Sequence, residues 1–152
     1  MFRTEISAER LTDAPADVVY RCIADYERHH RPGGFLPPNF SDFTIERGGV
    51  GAGTIMSFTV TLAGRSRRMT HEVHEPEPGR VLVEGGSRER TRFTVDPVGN
   101  DRCRVRIETI IVAGGLDGVL TRLMGRRLMT PLFEDELARL ERRAQEQVAA
   151  RA

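Results

Sequence analysis

The spacing of apolar residues divides the chain into three stretches. In the first, FRTEISAERL alternates loosely and suits an edge or pairing strand that ends before Thr12-Asp13-Ala14-Pro15. From Pro15 the residues Val18, Val19, Cys22, Ile23 and Tyr26 recur at helical spacing, which predicts a helix over about 15–25 with one buried face. YERHHRP holds another short helical turn, broken by Pro32-Gly33-Gly34, and FLPPNF reads as a loop with exposed apolar side chains.

Beyond Ser41 the period falls to two and stays there for about seventy residues. The candidate strands are DFTIER, TIMSFTVTLA, RRMTHEVHE, RVLVEGG, RERTRFTVD and RCRVRIETIIV. Their connections, among them Ala63-Gly64-Arg65, Glu75-Pro76-Glu77-Pro78-Gly79 and Pro97-Val98-Gly99-Asn100, are too short for a crossover helix. Sequence neighbours are therefore expected to be sheet neighbours in an antiparallel sheet. The last stretch is the longest helical pattern. Leu116, Val119, Leu120, Leu123, Met124 and Leu128 form one stripe, continued by Phe133, Leu137, Leu140 and Ala144 after Pro131, where a kink is expected.

Composition narrows the class. At 152 residues, 39% hydrophobic and 30% charged, the chain fits one domain. No apolar run approaches the ~20 residues of a membrane span, so no stable membrane insertion is expected. The N-terminal MFRTEISAERL shows no basic segment followed by an apolar core, which makes a cytoplasmic location the default. Every one of the 23 basic residues is arginine, balanced by 22 carboxylates to a net charge of +1. No global field draws the protein to nucleic acid. The arginine-only usage, with abundant Ala and Gly, hints at a GC-rich bacterial genome. Cys22 and Cys103 belong to no CxxC or Cys/His pair and read as buried free thiols.

Four local features carry a resemblance. They are Ala14-Pro15-Ala16-Asp17-Val18-Val19-Tyr20 with Asp25 closing the helix, Gly51-Ala52-Gly53-Thr54 opening a strand, Glu75-Pro76-Glu77-Pro78-Gly79-Arg80 between strands, and Glu136-Leu137-Ala138-Arg139-Leu140 late in the last helix. With the order of elements, the chain resembles the helix-grip fold of the SRPBCC superfamily, which includes START lipid-transfer domains, polyketide cyclases and birch-pollen-allergen-like proteins. The resemblance implies an α+β fold, a curved sheet of about seven strands wrapped around a long C-terminal helix. It also implies a cavity between them for an apolar or amphipathic small molecule.

Strand alternation sorts residues by face. Met56, Phe58, Val60 and Leu62 share the inner side of their strand, as do Met69, His71 and Val73 of the next. Phe93 and Val95 point inward and bring Thr91 and Glu89 with them, and Cys103, Val105, Ile107, Thr109 and Ile111 line up on the last strand. The inward polar set is then His71, Glu89, Thr91 and Thr109, a few placed polar groups on apolar walls, as small-molecule pockets show. Phe43, and Leu120 and Met124 of the long helix, complete the expected lining. Tyr26, Phe35, Leu36 and Phe40, held by Pro37-Pro38, either gate this cavity or plug the core beneath a loop. His71 is the candidate catalytic residue: a neutral imidazole there orients a carbonyl or hydroxyl or acts as a base, or else is a core histidine held by a backbone carbonyl, Glu89 or a threonine.

Other patterns lead away from catalysis. His71-Glu72-Val73-His74-Glu75 half resembles HExxH, but histidines three apart on a strand face opposite ways, so no metal or other cofactor is expected. Adjacent His29 and His30 lie in a polar stretch and are expected to be exposed. Gly48-Gly49-Val50-Gly51-Ala52-Gly53-Thr54 lacks the lysine of a phosphate loop and opens a strand, so it reads as a hairpin corner. Arg88, Arg90 and Arg92 share an outer face with Arg102, Arg104 and Arg106. Pairing Val95 with Cys103 would set Arg92 opposite Arg106, a repulsive pair that would recruit an acid or an anion. The alternative is an ordinary solvated face interleaved with Glu72, Glu84 and Glu108.

The sequence thus points first to a binder or carrier of an apolar or amphipathic small molecule of lipid, polyketide or aromatic type. A cyclase or dehydratase using His71 is the second reading, and an interaction module using the Arg88/Arg90/Arg92/Arg106 face the third. A homodimer stays open.

Overall fold

The computed structural model describes residues 1–31 and 34–151. Pro32 and Gly33, two residues of the break expected after the second helical turn, lie outside them. The element order is β1 (Phe2–Thr12), α1 (Ala16–Ala24), α2 (Tyr26–His29), β2 (Phe40–Arg47), β3 (Ile55–Leu62), β4 (Arg65–Glu77), β5 (Val81–Gly85), β6 (Glu89–Pro97), β7 (Cys103–Ala113) and α3 (Gly115–Arg151). The strands form one antiparallel sheet in the order β1-β7-β6-β5-β4-β3-β2, so each strand from β2 to β7 lies beside its sequence neighbour. β1 closes the far edge against β7 over its whole length, from Phe2↔Ala113 to Thr12↔Cys103.

Turn chemistry explains the meander. β3 and β4 are joined by Ala63 and Gly64, with φ 50 and 76, the left-handed pair that matches the twist of a two-residue hairpin. Register shifts in β2 against β3, and between His74 and Glu77 where β4 meets β5, add the local twist that bends the sheet. β4 continues through Pro76 to Glu77 at this irregularity, although its turn-rich sequence reads as a loop.

The glycine run is a corner, as the sequence implies, and it is also a clasp. Gly48, Gly49, Gly51 and Gly53 all have positive φ. The Gly49 carbonyl accepts from the Tyr26 N–H at 2.8 Å and the Glu27 N–H at 3.2 Å, which satisfies free donors at the start of α2. Glu75 accepts from the Ala52 N–H at 2.8 Å and from the Tyr20 hydroxyl at 2.6 Å, tying the corner to α1 and β4.

α1 buries Val18, Val19, Cys22 and Ile23 in the core between the sheet and α3. α3 stays helical through Pro131 and buries Leu132, Phe133, Leu137, Leu140 and Ala144. The stripe expected over its first half is not packed: Leu116 and Leu123 are each 74% exposed, and Val119 and Met124 also reach solvent. That half spans the opening of the cavity instead of the core. No described helix is long and apolar enough to cross a membrane.

The β6–β7 register corrects the expected pairing. Val95 lies opposite Val105, so Arg92 faces Glu108 and Asp96 faces Arg104. The five-residue loop is closed by the Val98 N–H to the Arg102 carbonyl at 2.9 Å. A two-residue slip keeps every side chain on its face and changes only its partner. The repulsive Arg92–Arg106 pair does not form; Arg104 meets Glu9 at 3.0 Å and Arg106 meets Glu108 at 3.4 Å.

Candidate functional site

A cavity of about 480 Å³ lies between the concave face of the sheet and the first half of α3. Its walls are built by alternation. Met56, Phe58, Val60 and Leu62 of β3, Met69 and His71 of β4, Glu89, Thr91 and Phe93 of β6, and Thr109 and Ile111 of β7 all face it. Phe43 reaches it from β2, and Leu120, Met124, Leu128, Met129, Leu132 and Phe133 cover it from the helix.

The loop aromatics divide between two roles. Leu36 and Phe40 line the cavity. Tyr26 and Phe35 do not: both are fully buried behind it, packed on His30 with ring centroids 4.1 and 4.6 Å away. His29 and His30, expected at the surface, are buried as well. The His30 Nε2–H donates to the Ile23 carbonyl at 2.8 Å, and burial drops its pKa to about 3, so the ring is neutral. His29 Nδ1 accepts from Arg143 Nε at 2.9 Å, and burial with the Arg143 charge holds its pKa below the usual range.

His71 is 4% exposed and stands edge-on to Phe58, with centroids 4.9 Å apart. Its Nε2 is 2.9 Å from Glu89 Oε1, one of the partners expected for it. Its Nδ1 is buried without a hydrogen-bond partner among the described residues and lies 4.0 Å from Glu84 Oε1. His74 is exposed on the opposite face of β4. Thr91 and Thr109 sit side by side across β6 and β7 and bond each other at 2.8 Å.

Two carboxylates join this set that sequence reasoning missed. Glu84 does not share the outer face: it lies opposite Val73 and Thr91, both inward, and so points into the cavity. The Val81-Leu82-Val83 run is buried throughout and shows no alternation from which its face could be read. The Tyr26 hydroxyl donates to Glu84 Oε2 at 2.5 Å, and burial raises the Glu84 pKa above the usual carboxylate range. Glu136 is 5% exposed and lines the cavity from α3. Burial, with the nearby charges of Glu84 and Asp135, pushes its pKa up to about 8. Its position was legible: it falls on the stripe of Phe133, Leu137 and Leu140, where a carboxylate is out of place.

Among the described residues no group of three or more His, Cys, Asp or Glu side chains is placed to hold a metal ion. What the site offers is an apolar chamber with a polar end built from Glu84, His71, Glu89 and Glu136, with the Tyr26 hydroxyl bonded to Glu84 from behind the wall. A curved sheet closed by a long helix around such a chamber is the helix-grip architecture. The chain belongs to the polyketide cyclase/dehydrase and lipid transport family, whose sequence profile matches residues 3–145.

Solved structures agree on the fold. A Thermus thermophilus protein superposes with a TM-score of 0.77 at 24% identity, over 95% of this chain and 99% of its own. The Zhui aromatase/cyclase of a Streptomyces species gives 0.73 at 15% identity, over 96% of each chain. A START superfamily protein from Mycobacterium smegmatis gives 0.66 at 17% identity, over 94% of this chain and 98% of its own. No curated protein matches the chain in sequence.

Proposed function

We propose that this protein binds an apolar or amphipathic small molecule, with Phe43, Met56, Phe58, Val60, Met69, Phe93, Thr109, Leu120 and Met124 as its contacts. The observation that carries this reading is the chamber of about 480 Å³ walled by aliphatic and aromatic side chains. A pocket of this size and composition suits a small organic ligand, because apolar walls supply affinity and a few polar groups set orientation. The family, described by lipid transport as well as cyclisation, supports it. Native mass spectrometry of the purified protein tests it: a co-purified organic compound, or saturable uptake of an apolar fluorophore, is expected. A chain that carries and takes up none overturns the reading.

One observation favours a second reading, that of an enzyme. His71 presents a buried nitrogen with no partner among the described residues while its other nitrogen is fixed by Glu89, the arrangement in which a carboxylate orients an imidazole for proton transfer. On this reading His71→Ala abolishes turnover of a polyketide-type substrate without unfolding the chain, and unchanged turnover removes His71 from the mechanism.

Two settings complete the proposal. The outer arginines of β6 and β7 have Glu9, Glu108 and Asp96 as neighbours, which argues for a solvated face with no nucleic-acid role. The buried free thiols of Cys22 and Cys103 suit a reducing cytoplasm.

A further inference from the structure

Resting on the cavity reading above, we infer that the ligand this chamber selects carries a protonated amine on an apolar body, its ammonium seated between Glu84 and Glu136. The polar lining decides this. The Thr91 and Thr109 hydroxyls are engaged with each other, and Glu89 holds Nε2 of His71. Besides the second O–H of the threonine pair and the second oxygen of Glu89, three acceptor groups are open to a ligand. Glu84 has Oε1 free of the hydrogen bond that Tyr26 makes to Oε2. Glu136 makes no side-chain hydrogen bond among the described residues while 5% exposed. Nδ1 of His71 is buried without a hydrogen-bond partner among the described residues, and in the tautomer that directs Nε2–H at Glu89 it accepts from a ligand donor.

Among the described residues no lysine or arginine is placed to balance Glu84 and Glu136, and the His71 ring, 4.0 Å from Glu84 Oε1, is already held by Glu89 at 2.9 Å. The chain has no lysine, and the two arginines that border the cavity, Arg65 and Arg67, are exposed at its rim. An acceptor-rich, partly buried site is incomplete until a donor enters, since each unmet buried polar group costs roughly 1–3 kcal/mol. A primary ammonium brings three N–H donors to these three groups and a positive charge to two acids. An alcohol brings one donor and no charge, and a carboxylate adds like charge. Burial and the Glu84 charge keep the proton on Glu136 while the chamber is empty, and an ammonium supplies the counter-charge that lets it ionise.

Three probes with one indole body test the inference by isothermal calorimetry: tryptamine, tryptophol and indole acetate. Tryptamine is expected to bind at least about tenfold more tightly than tryptophol, with indole acetate weakest, as charge-assisted hydrogen bonds require. Glu136→Gln and Glu84→Gln should each remove the preference for amine over alcohol while tryptophol binding holds. Circular dichroism of the variants checks that the fold is kept. Equal binding of tryptamine and tryptophol by the unsubstituted chain, or a preference that survives both substitutions, overturns amine selection and leaves the apolar chamber standing. Failure of all three probes to bind overturns amine selection and the cavity reading together.

Discussion

His71 Nε2 and Glu89 Oε1 meet at 2.9 Å although their strands, β4 and β6, are separated in the sheet by β5. The contact forms at the end of β5, where Gly85 and Gly86 put no side chain in the way. A Cβ on Gly86 would come 2.9 Å from Glu89 Oε1 and 3.0 Å from the Thr70 carbonyl oxygen. Gly86→Ala is expected to push the Glu89 carboxylate away from His71, and Glu89→Gln to remove its charge in place. Nitrogen NMR of the imidazole should report altered shifts in both; an unaltered ring in Gly86→Ala would show that the glycine does not set the pair.

Among the described residues Tyr26 supplies the one hydroxyl bonded to Glu84. Tyr26→Phe keeps the buried ring against His30 but leaves the carboxyl short of a donor, at a cost of about 1–3 kcal/mol. Urea unfolding should show a lower midpoint with an unchanged slope. A midpoint equal to that of the parent chain would mean that the hydrogen bond contributes nothing net.

Stability should be greatest in mildly acidic solution, and the signs follow from two groups. Glu136 has its pKa raised from 4.5 to about 8, so the folded state holds a proton that the unfolded chain has lost. Its contribution therefore falls as pH rises from 4.5 and is fully lost above about 8. His30 has its pKa lowered from 6.5 to about 3, so the unfolded chain takes up the proton first and stability falls as pH drops through that window. Moving a titration by one pH unit is worth about 1.4 kcal/mol, which makes the Glu136 effect several kcal/mol in scale. Glu136→Gln should raise the thermal midpoint at alkaline pH and leave it nearly unchanged near pH 4; the same gain at both would sink this assignment.

Val60 is half-buried on the cavity wall, so a larger side chain there can occupy the chamber without replacing a core residue. Val60→Trp should weaken binding of an apolar fluorophore by tenfold or more, about 1.4 kcal/mol, with little loss of thermal stability. The chain has no tryptophan of its own, so the new indole also reports occupancy by its emission. Undiminished fluorophore binding would place the probe elsewhere.

How much of this was readable in advance depended on where periodicity is clean. TIMSFTVTL and RRMTHEVHE alternate without interruption, and Met56, Phe58, Val60, Met69 and His71 all stand on the cavity side that their parity assigns. The buried Val81-Leu82-Val83 run hides its parity, and the face of Glu84 is fixed only by its pairing with Val73 and Thr91. His29 and His30 follow charged residues and look polar locally, yet their burial is decided by distant partners, Arg143 and the Phe35–Phe43 aromatics. The β6–β7 register turned on loop length, which a run of Pro, Gly and Asn leaves undetermined.

Pro131 divides α3 into halves of unequal hold. It has no N–H to give the Arg127 carbonyl, so the helical ladder is already open between the half docked in the core and the half that rests on β1 through Gly118, Gly125 and Arg126. The second half is pinned by Phe133, Leu137, Leu140 and Ala144, whereas the first leaves Leu116 and Leu123 largely in water. Local opening is therefore expected to cost less before the proline than after it. Amide hydrogen exchange should be fast over 116–128 and slow over 133–144. Were that half-helix to fray from β1, the chamber would open like a vessel with a hinged cover, with the sheet and the buried core intact.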